Sequence, residues 1–176
     1  MSPREREAAP EGSAAPEGSA APGGAGPYAS VPPRNADLDE VKRLLPHRKP
    51  FLFVDRAWTE GGVMFGERLF PADEGFFAGH FPGYPVVPGV ILVEALAQCG
   101  GVGAKLLGVQ AKGIFVLGKI AEVRYRRQVR PGETYRMEVE MLRASPMVIR
   151  QKGRGYVGDE LAVEAEWLAV SGGDLC

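Results

Sequence analysis

Cysteine and histidine are both scarce in this 176-residue chain, with two of each. Cys99 lies in an apolar stretch and Cys176 is the last residue. Neither belongs to a CxxC pair, which disfavours a disulfide framework or a zinc site. Two histidines without clustered ligands make a metal role improbable. Charge of one sign is missing too. Twenty-one basic residues face 22 acidic ones, a formal charge of −1. The whole molecule therefore makes no case for nucleic acid or a membrane surface. No uninterrupted apolar run approaches the roughly 20 residues that span a bilayer. What is present is 45% apolar and 24% charged residues, the balance of an ordinary soluble globular protein. A reducing, cytoplasmic setting is the default expectation.

Apolar side chains are also missing from the N-terminus. The stretch "APEGSAAPEGSAAPGG" holds two copies of APEGSA and a degraded third. Such a composition buries too little apolar surface to offset the entropy of ordering. Residues 1–36 are expected to be a flexible tail, and residues 37–176 a single domain. The tail has no apolar core of a signal peptide, and its four acids against three arginines disfavour a transit peptide.

Past the tail, "DLDEVKRLLP" predicts a short helix. Asp37 or Asp39 caps it, Leu38, Val41, Leu44 and Leu45 share one face, and Pro46 ends it. Phe51–Trp58 and Val63–Phe70 read as strands around the turn "TEGG". Val90 to Leu107 is apolar nearly all round and long enough to favour a helix. A helix of that kind is normally the buried centre of something larger. Its small residues Ala95, Ala97, Gly100, Gly101, Gly103 and Ala104 allow a sheet or a second chain to approach closely. The remainder reads as strands: "GIFVLGKI", "AEVRYRRQV", then "TYRMEVEML", "MVIRQKGRGYV" and "ELAVEAEWLAV". In the last, Leu161, Val163, Ala165 and Trp167 share a face. One-face alternation marks an antiparallel sheet with a solvated side. The economical packing is an α+β fold, an antiparallel sheet curled around the long central helix.

Glu94 interrupts the apolar run "VILVEALAQ". A buried carboxylate without partners costs several kcal/mol, on the order-of-magnitude scale for buried charge, so it must be paired, hydrogen-bonded or neutral. Gln98, one turn on, shares its face and can orient it. Taken alone, Glu94 reads best as a satisfied core acid or one at a subunit seam. His80, taken alone, is as easily a brace for its turn. But "HFPGYPVVPG" fixes the backbone just before a helix start. The first N–H groups of that helix are unsatisfied and carry the positive end of the macrodipole. A rigid histidine loop, a helix N-terminus able to hold an oxyanion, and an acid one turn inside together resemble acid–base machinery for a carbonyl compound.

"LPHRKPFLFVDR", "GHFPGYPVVPGVILVEALAQCGG" and "RYRRQVRPGE" resemble the β-hydroxyacyl-acyl carrier protein dehydratases of the FabZ type, from about Leu38 to Val170. The related FabA type usually carries Asp where this chain has Glu94. The resemblance implies a hot-dog fold and no cofactor. It implies dehydration of a (3R)-3-hydroxyacyl thioester on the phosphopantetheine arm of acyl carrier protein, giving the trans-2-enoyl product. His80 is then the base at C2, and Glu94 protonates or positions the departing 3-hydroxyl. The Gly89 N–H polarises the thioester carbonyl, Gly89 and Val90 line the narrow point, and Gln98 orients Glu94. The family builds this site between two subunits, His80 from one and Glu94 from the other, in a homodimer or a hexamer made of three dimers.

An acyl substrate calls for an apolar tunnel. Phe76, Phe77, Phe81 and Tyr84 from the loop, with Ile114, Phe115 and Val116 from a strand, are the expected walls. Core packing is the competing reading for at least two of the phenylalanines. From Lys119 to Arg154 ten bases meet four acids. Arg124, Arg126, Arg127, Arg150, Lys152 and Arg154 are candidates for steering the acidic carrier protein. For any one of them, pairing with a neighbouring glutamate on a solvated strand is the plainer account. His47, in "LPHR", is read as structural, closing the first helix. A non-catalytic acyl-binding module and a hot-dog thioesterase are the competing functions.

Overall fold

The computed structural model describes residues 28–172. The elements in chain order are β1 (Arg34–Ala36), α1 (Leu38–Leu44), β2 (Arg56–Glu60), β3 (Val63–Leu69), a 3-10 turn (Gly75–Ala78), α2 (Gly89–Leu106), β4 (Ile114–Tyr125), β5 (Thr134–Ala144), β6 (Val148–Val157) and β7 (Glu160–Gly172). All seven strands form one antiparallel sheet in the order β1-β2-β3-β5-β6-β7-β4. Strands β2, β3, β5, β6 and β7 wrap around α2, the hot-dog arrangement expected from the sequence.

Helix α1 forms where the caps predict. Asp37 Oδ1 accepts from the Glu40 N–H at 2.9 Å, and the helix stops before Pro46. The β2–β3 hairpin turns through Gly61 and Gly62, whose φ values of +56° and +82° suit a two-residue turn of the primed type. On β5, Tyr135, Met137, Val139 and Met141 face the core as the alternation requires. Phe53, Phe70, Leu92 and Leu96 are fully buried, and each such side chain contributes about 1.5–3 kcal/mol.

Three expectations need correction. Arg34–Ala36 were assigned to the tail, but they pair with β2 and Ala36 is buried. Tyr28 and Val31, within the same expected tail, pack against the core, while residues 1–27 and Cys176 lie outside the described residues. Phe51–Asp55 were read as part of a strand. They instead form an irregular segment whose main chain is served by a helix side chain described below. "GIFVLGKI" and "AEVRY" join into the single strand β4, carried through by two register shifts.

Helix α2 is long and apolar enough to cross a membrane by length and composition alone, but the sheet buries most of it. Its small residues permit that packing. A side chain on Gly103 would meet Met64 Cγ at 2.2 Å, and one on Gly100 would meet Gln151 Oε1 at 2.4 Å. Strand β4 is one edge of the sheet. It pairs with β7 on one side and leaves Ile114, Val116, Ile120 and Tyr125 exposed.

Candidate active site

Glu94 projects from the second turn of α2 into a cavity of about 320 Å³. Leu45–His47, the inner face of α2 and the first residues of β4 form its walls. The wall is largely apolar, a suitable lining for an acyl chain. The acid is partly buried, with 22% of its side chain exposed. Gln98 Nε2 donates to Glu94 Oε1 at 2.9 Å, the pairing expected from their spacing. Gln98 is itself fixed. It donates to Phe51 O at 2.9 Å and accepts from the Phe53 N–H at 2.8 Å. A buried amide with every group satisfied has one orientation, so Glu94 inherits that orientation.

His80 stands elsewhere, just after the 3-10 turn, at the start of the loop that precedes α2. The 3-10 turn leads into it, and the His80 N–H donates to Phe76 O at 2.9 Å. The His80 ring lies 3.1 Å from Val86 O through Nδ1. A carbonyl only accepts, so this contact puts the proton on Nδ1 and leaves the Nε2 lone pair open. Phe81 stacks on the imidazole with centroids 4.1 Å apart. A nearly buried ion cluster holds the loop from behind. Arg68 donates to Asp55 Oδ1 at 2.8 Å and to Glu74, the residue that opens the 3-10 turn. Nothing in the sequence patterning marked Arg68.

Within one chain His80 does not line the Glu94 cavity. Gly89 opens α2 between them, where N–H groups have no partner a turn earlier. The Tyr125 ring presses on Gly89, at 2.7 Å from where a Cβ would sit, so a side chain there would displace that exposed ring. Val90 beside it is exposed.

The expected tunnel residues divide into two groups. Ile114, Phe115 and Val116 do line the cavity with Glu94. The four loop aromatics do not. Phe77 is buried in the core and Phe76 packs against it. Phe81 and Tyr84 are exposed, and Tyr84 Oη donates to Gln128 at 2.8 Å. His47 was read as a helix terminator, yet its ring is in the cavity, with Nε2 3.5 Å from Glu94 Oε1. Its place in the family-like motif "LPHRKPF" of a histidine-poor chain was the available signal.

The six candidate docking cations are all ion-paired. Arg124 meets Glu122 at 2.6 Å and Arg126 meets Glu164 at 2.6 Å. Arg127 bridges Glu133 at 2.8 Å and Glu160 at 2.5 Å. Arg150 pairs with Glu166, while Lys152 and Arg154 share Glu140 at 3.0 and 3.2 Å. For Arg150, Lys152 and Arg154 the cross-strand register puts opposite charges side by side on the solvated sheet face, whereas Arg124 pairs along its own strand and Arg126 and Arg127 pair from the connection after β4. A depression of about 300 Å³ there is lined by these charges rather than by apolar groups.

Cys99 is fully buried beside Gly66, and burial pushes its thiol up to about 12. A thiol held protonated is a poor nucleophile, which sets it apart from the chemistry.

Comparison with known proteins agrees with the fold and the motifs. A family model described as the FabA-like domain matches residues 45–166. The 3-hydroxyacyl-[acyl-carrier-protein] dehydratase FabZ of Desulforamulus reducens is 45% identical over 138 residues, covering 77% of this chain and 97% of that protein. Its counterpart in Caulobacter sp. strain K31 is 44% identical over 149 residues, covering 82% and 91%. Among solved structures, the dehydratase heterocomplex ApeI:P from Xenorhabdus doucetiae superposes with a TM-score of 0.65 at 17% identity, covering 76% of this chain and 91% of that one. Sheet, helix, motifs and relatives agree, and the chain belongs to the FabA-like family as a 3-hydroxyacyl-[acyl-carrier-protein] dehydratase of the FabZ type.

Proposed function

We propose that this protein removes water from a (3R)-3-hydroxyacyl thioester carried on acyl carrier protein, using His80 of one subunit and Glu94 of another. One observation carries the reading: an oriented carboxylate faces an apolar cavity bounded on one side by the sheet's open edge. His80 Nε2 takes the C2 proton, because Nδ1 is committed to Val86 O. The electron pair of the C2–H bond forms the C2=C3 bond while the C3–O bond breaks. Glu94 meets the departing oxygen and delivers the proton that makes it water. The proton accepted at His80 balances the one given at Glu94, so no oxidant or reductant enters. Enolate charge on the thioester oxygen is stabilised by the Gly89 N–H at the start of α2.

The second subunit is drawn in by the edge strand. A long unpaired edge with exposed Ile114, Val116, Ile120 and Tyr125 is a template for another chain. Pairing of two copies supplies each Glu94 cavity with the His80 that it lacks within one chain. Arg48 and Lys105 are the better docking cations for the acidic carrier protein. Lys105 lines the cavity and Arg48 follows the cavity residue His47; they donate to main-chain oxygens of Leu44, Leu45 and His47, and neither is ion-paired among the described residues.

The test is a dehydration assay with 3-hydroxybutyryl-acyl carrier protein on the native chain, His80→Ala and Glu94→Gln. Native enzyme should form the enoyl product and each variant should lose nearly all activity while staying folded. Refolding the two variants together should restore about a quarter of native activity, since half the symmetric pairs are hybrids with one intact site of two. No restoration would place the whole site in one chain. No product from the native chain, with carrier-protein binding retained, would favour the acyl-binding module.

A further inference from the structure

We propose that His47 is a positioning residue for Glu94, a role that rests on Glu94 serving as the acid. Both groups line the same cavity, and His47 Nε2 stands 3.5 Å from Glu94 Oε1. That is roughly half an ångström beyond a formed hydrogen bond. The protonation pattern follows from the neighbours. A carboxylate oxygen accepts, so Nε2 carries the hydrogen. His47 Nδ1 is buried with no hydrogen-bond partner among the described residues, so a second hydrogen there would be a buried donor without an acceptor.

Gln98 and His47 approach the same oxygen. Gln98 already donates to Oε1 at 2.9 Å, and His47 approaches it from the α1–β2 connection. Among the described residues no protein donor reaches Oε2, which is left for the substrate hydroxyl. Two donors on Oε1 fix the rotation of the carboxyl group, and closing the remaining half ångström on substrate strengthens the grip as the C3–O bond breaks. The His47 main chain is held still by Arg48, whose guanidinium donates to His47 O at 2.7 Å and Leu45 O at 2.9 Å.

The experiment uses the full chain with 3-hydroxybutyryl-acyl carrier protein. His47→Leu removes the donor, while His47→Gln keeps an N–H near the same place. His47→Leu should lower kcat about tenfold or more, the scale of a hydrogen bond to a charged group, with KM within about twofold. His47→Gln should recover most of kcat. A His47→Leu enzyme with native kcat overturns the proposal, and so does a folded His47→Gln as impaired as His47→Leu. The imidazole 15N spectrum gives a readout independent of turnover and of either variant's folding. The His47 Nε2–H signal should be present in the native protein and move in Glu94→Gln. A proton on Nδ1, or no change, overturns the proposal. If Glu94→Gln itself stays fully active, the acid reading fails; if Glu94→Gln is inactive and His47→Leu is not, only the role of His47 fails.

Discussion

Arg127 ties two turns together, reaching Glu133 in the β4–β5 connection and Glu160 at the start of β7. Its hydrogen bond is the main reason the Glu133 carboxyl lies below its ordinary value of 4.5, helped by the Arg130 N–H and opposed by burial. A carboxylate favoured in the fold contributes stability above that ordinary value. The contribution is lost as pH falls through the lowered one. Glu133→Gln should therefore cost about 1 kcal/mol at neutral pH, a modest figure because the pair is partly exposed. Urea midpoints of the variant and the native chain should converge on acidification. A gap that stays constant with pH would assign the loss to something other than the carboxylate. At this scale the sequence was legible where partners are local. Glu94 and Gln98 are one helical turn apart, and their contact could be predicted from spacing. The contacts of His47 and Arg68 were not legible: Glu94 meets His47 from another element, and Asp55 and Glu74 reach Arg68 from irregular segments, where spacing predicts no contact.

Among the elements, α2 has the least room. Gly103→Ala improves helix propensity by about 0.8–1 kcal/mol. The new methyl would meet Met64 Cβ and Cγ at 2.4 and 2.2 Å, atoms close to the β3 backbone and not the free end of a side chain. Overpacking of that kind costs about 1–3 kcal/mol, so the balance should be destabilising. Thermal melting should show a lower Tm for Gly103→Ala than for the native chain. An unchanged Tm would mean that β3 yields more readily than its packing implies. The elements themselves were mostly readable from period and caps. Alternation on β5 and the Asp37 cap of α1 are local patterns and both appear as expected. The failures were non-local. Phe51–Asp55 has the composition of a strand, but its polar main chain is satisfied by Gln98, 45 positions from Phe53. On β7, Leu161 is only half-buried while Ala162 is fully buried, because the β6–β7 ladder shifts register between Gly155 and Tyr156. Such a shift leaves no trace in a period-two pattern.

For the whole molecule, the N-terminal boundary matters. Deleting residues 1–27 should leave activity and Tm nearly unchanged, given a composition with little to bury. Deleting through Ala36 should lower Tm by a few degrees. That cut removes β1, its ladder with β2 and the Arg34 N–H donated to Thr59 Oγ1. Equal melting of the two truncations would show that β1 adds nothing to the sheet. The Gln98 anchor has a consequence for the molecule's breathing. The Phe53 amide is drawn as loop, yet its hydrogen is shut inside the core by a helix side chain. Solvent can exchange it only when α2 and the 51–53 segment part, an event that also releases Glu94. The slow clock of that one amide therefore times how long the acid stays aimed.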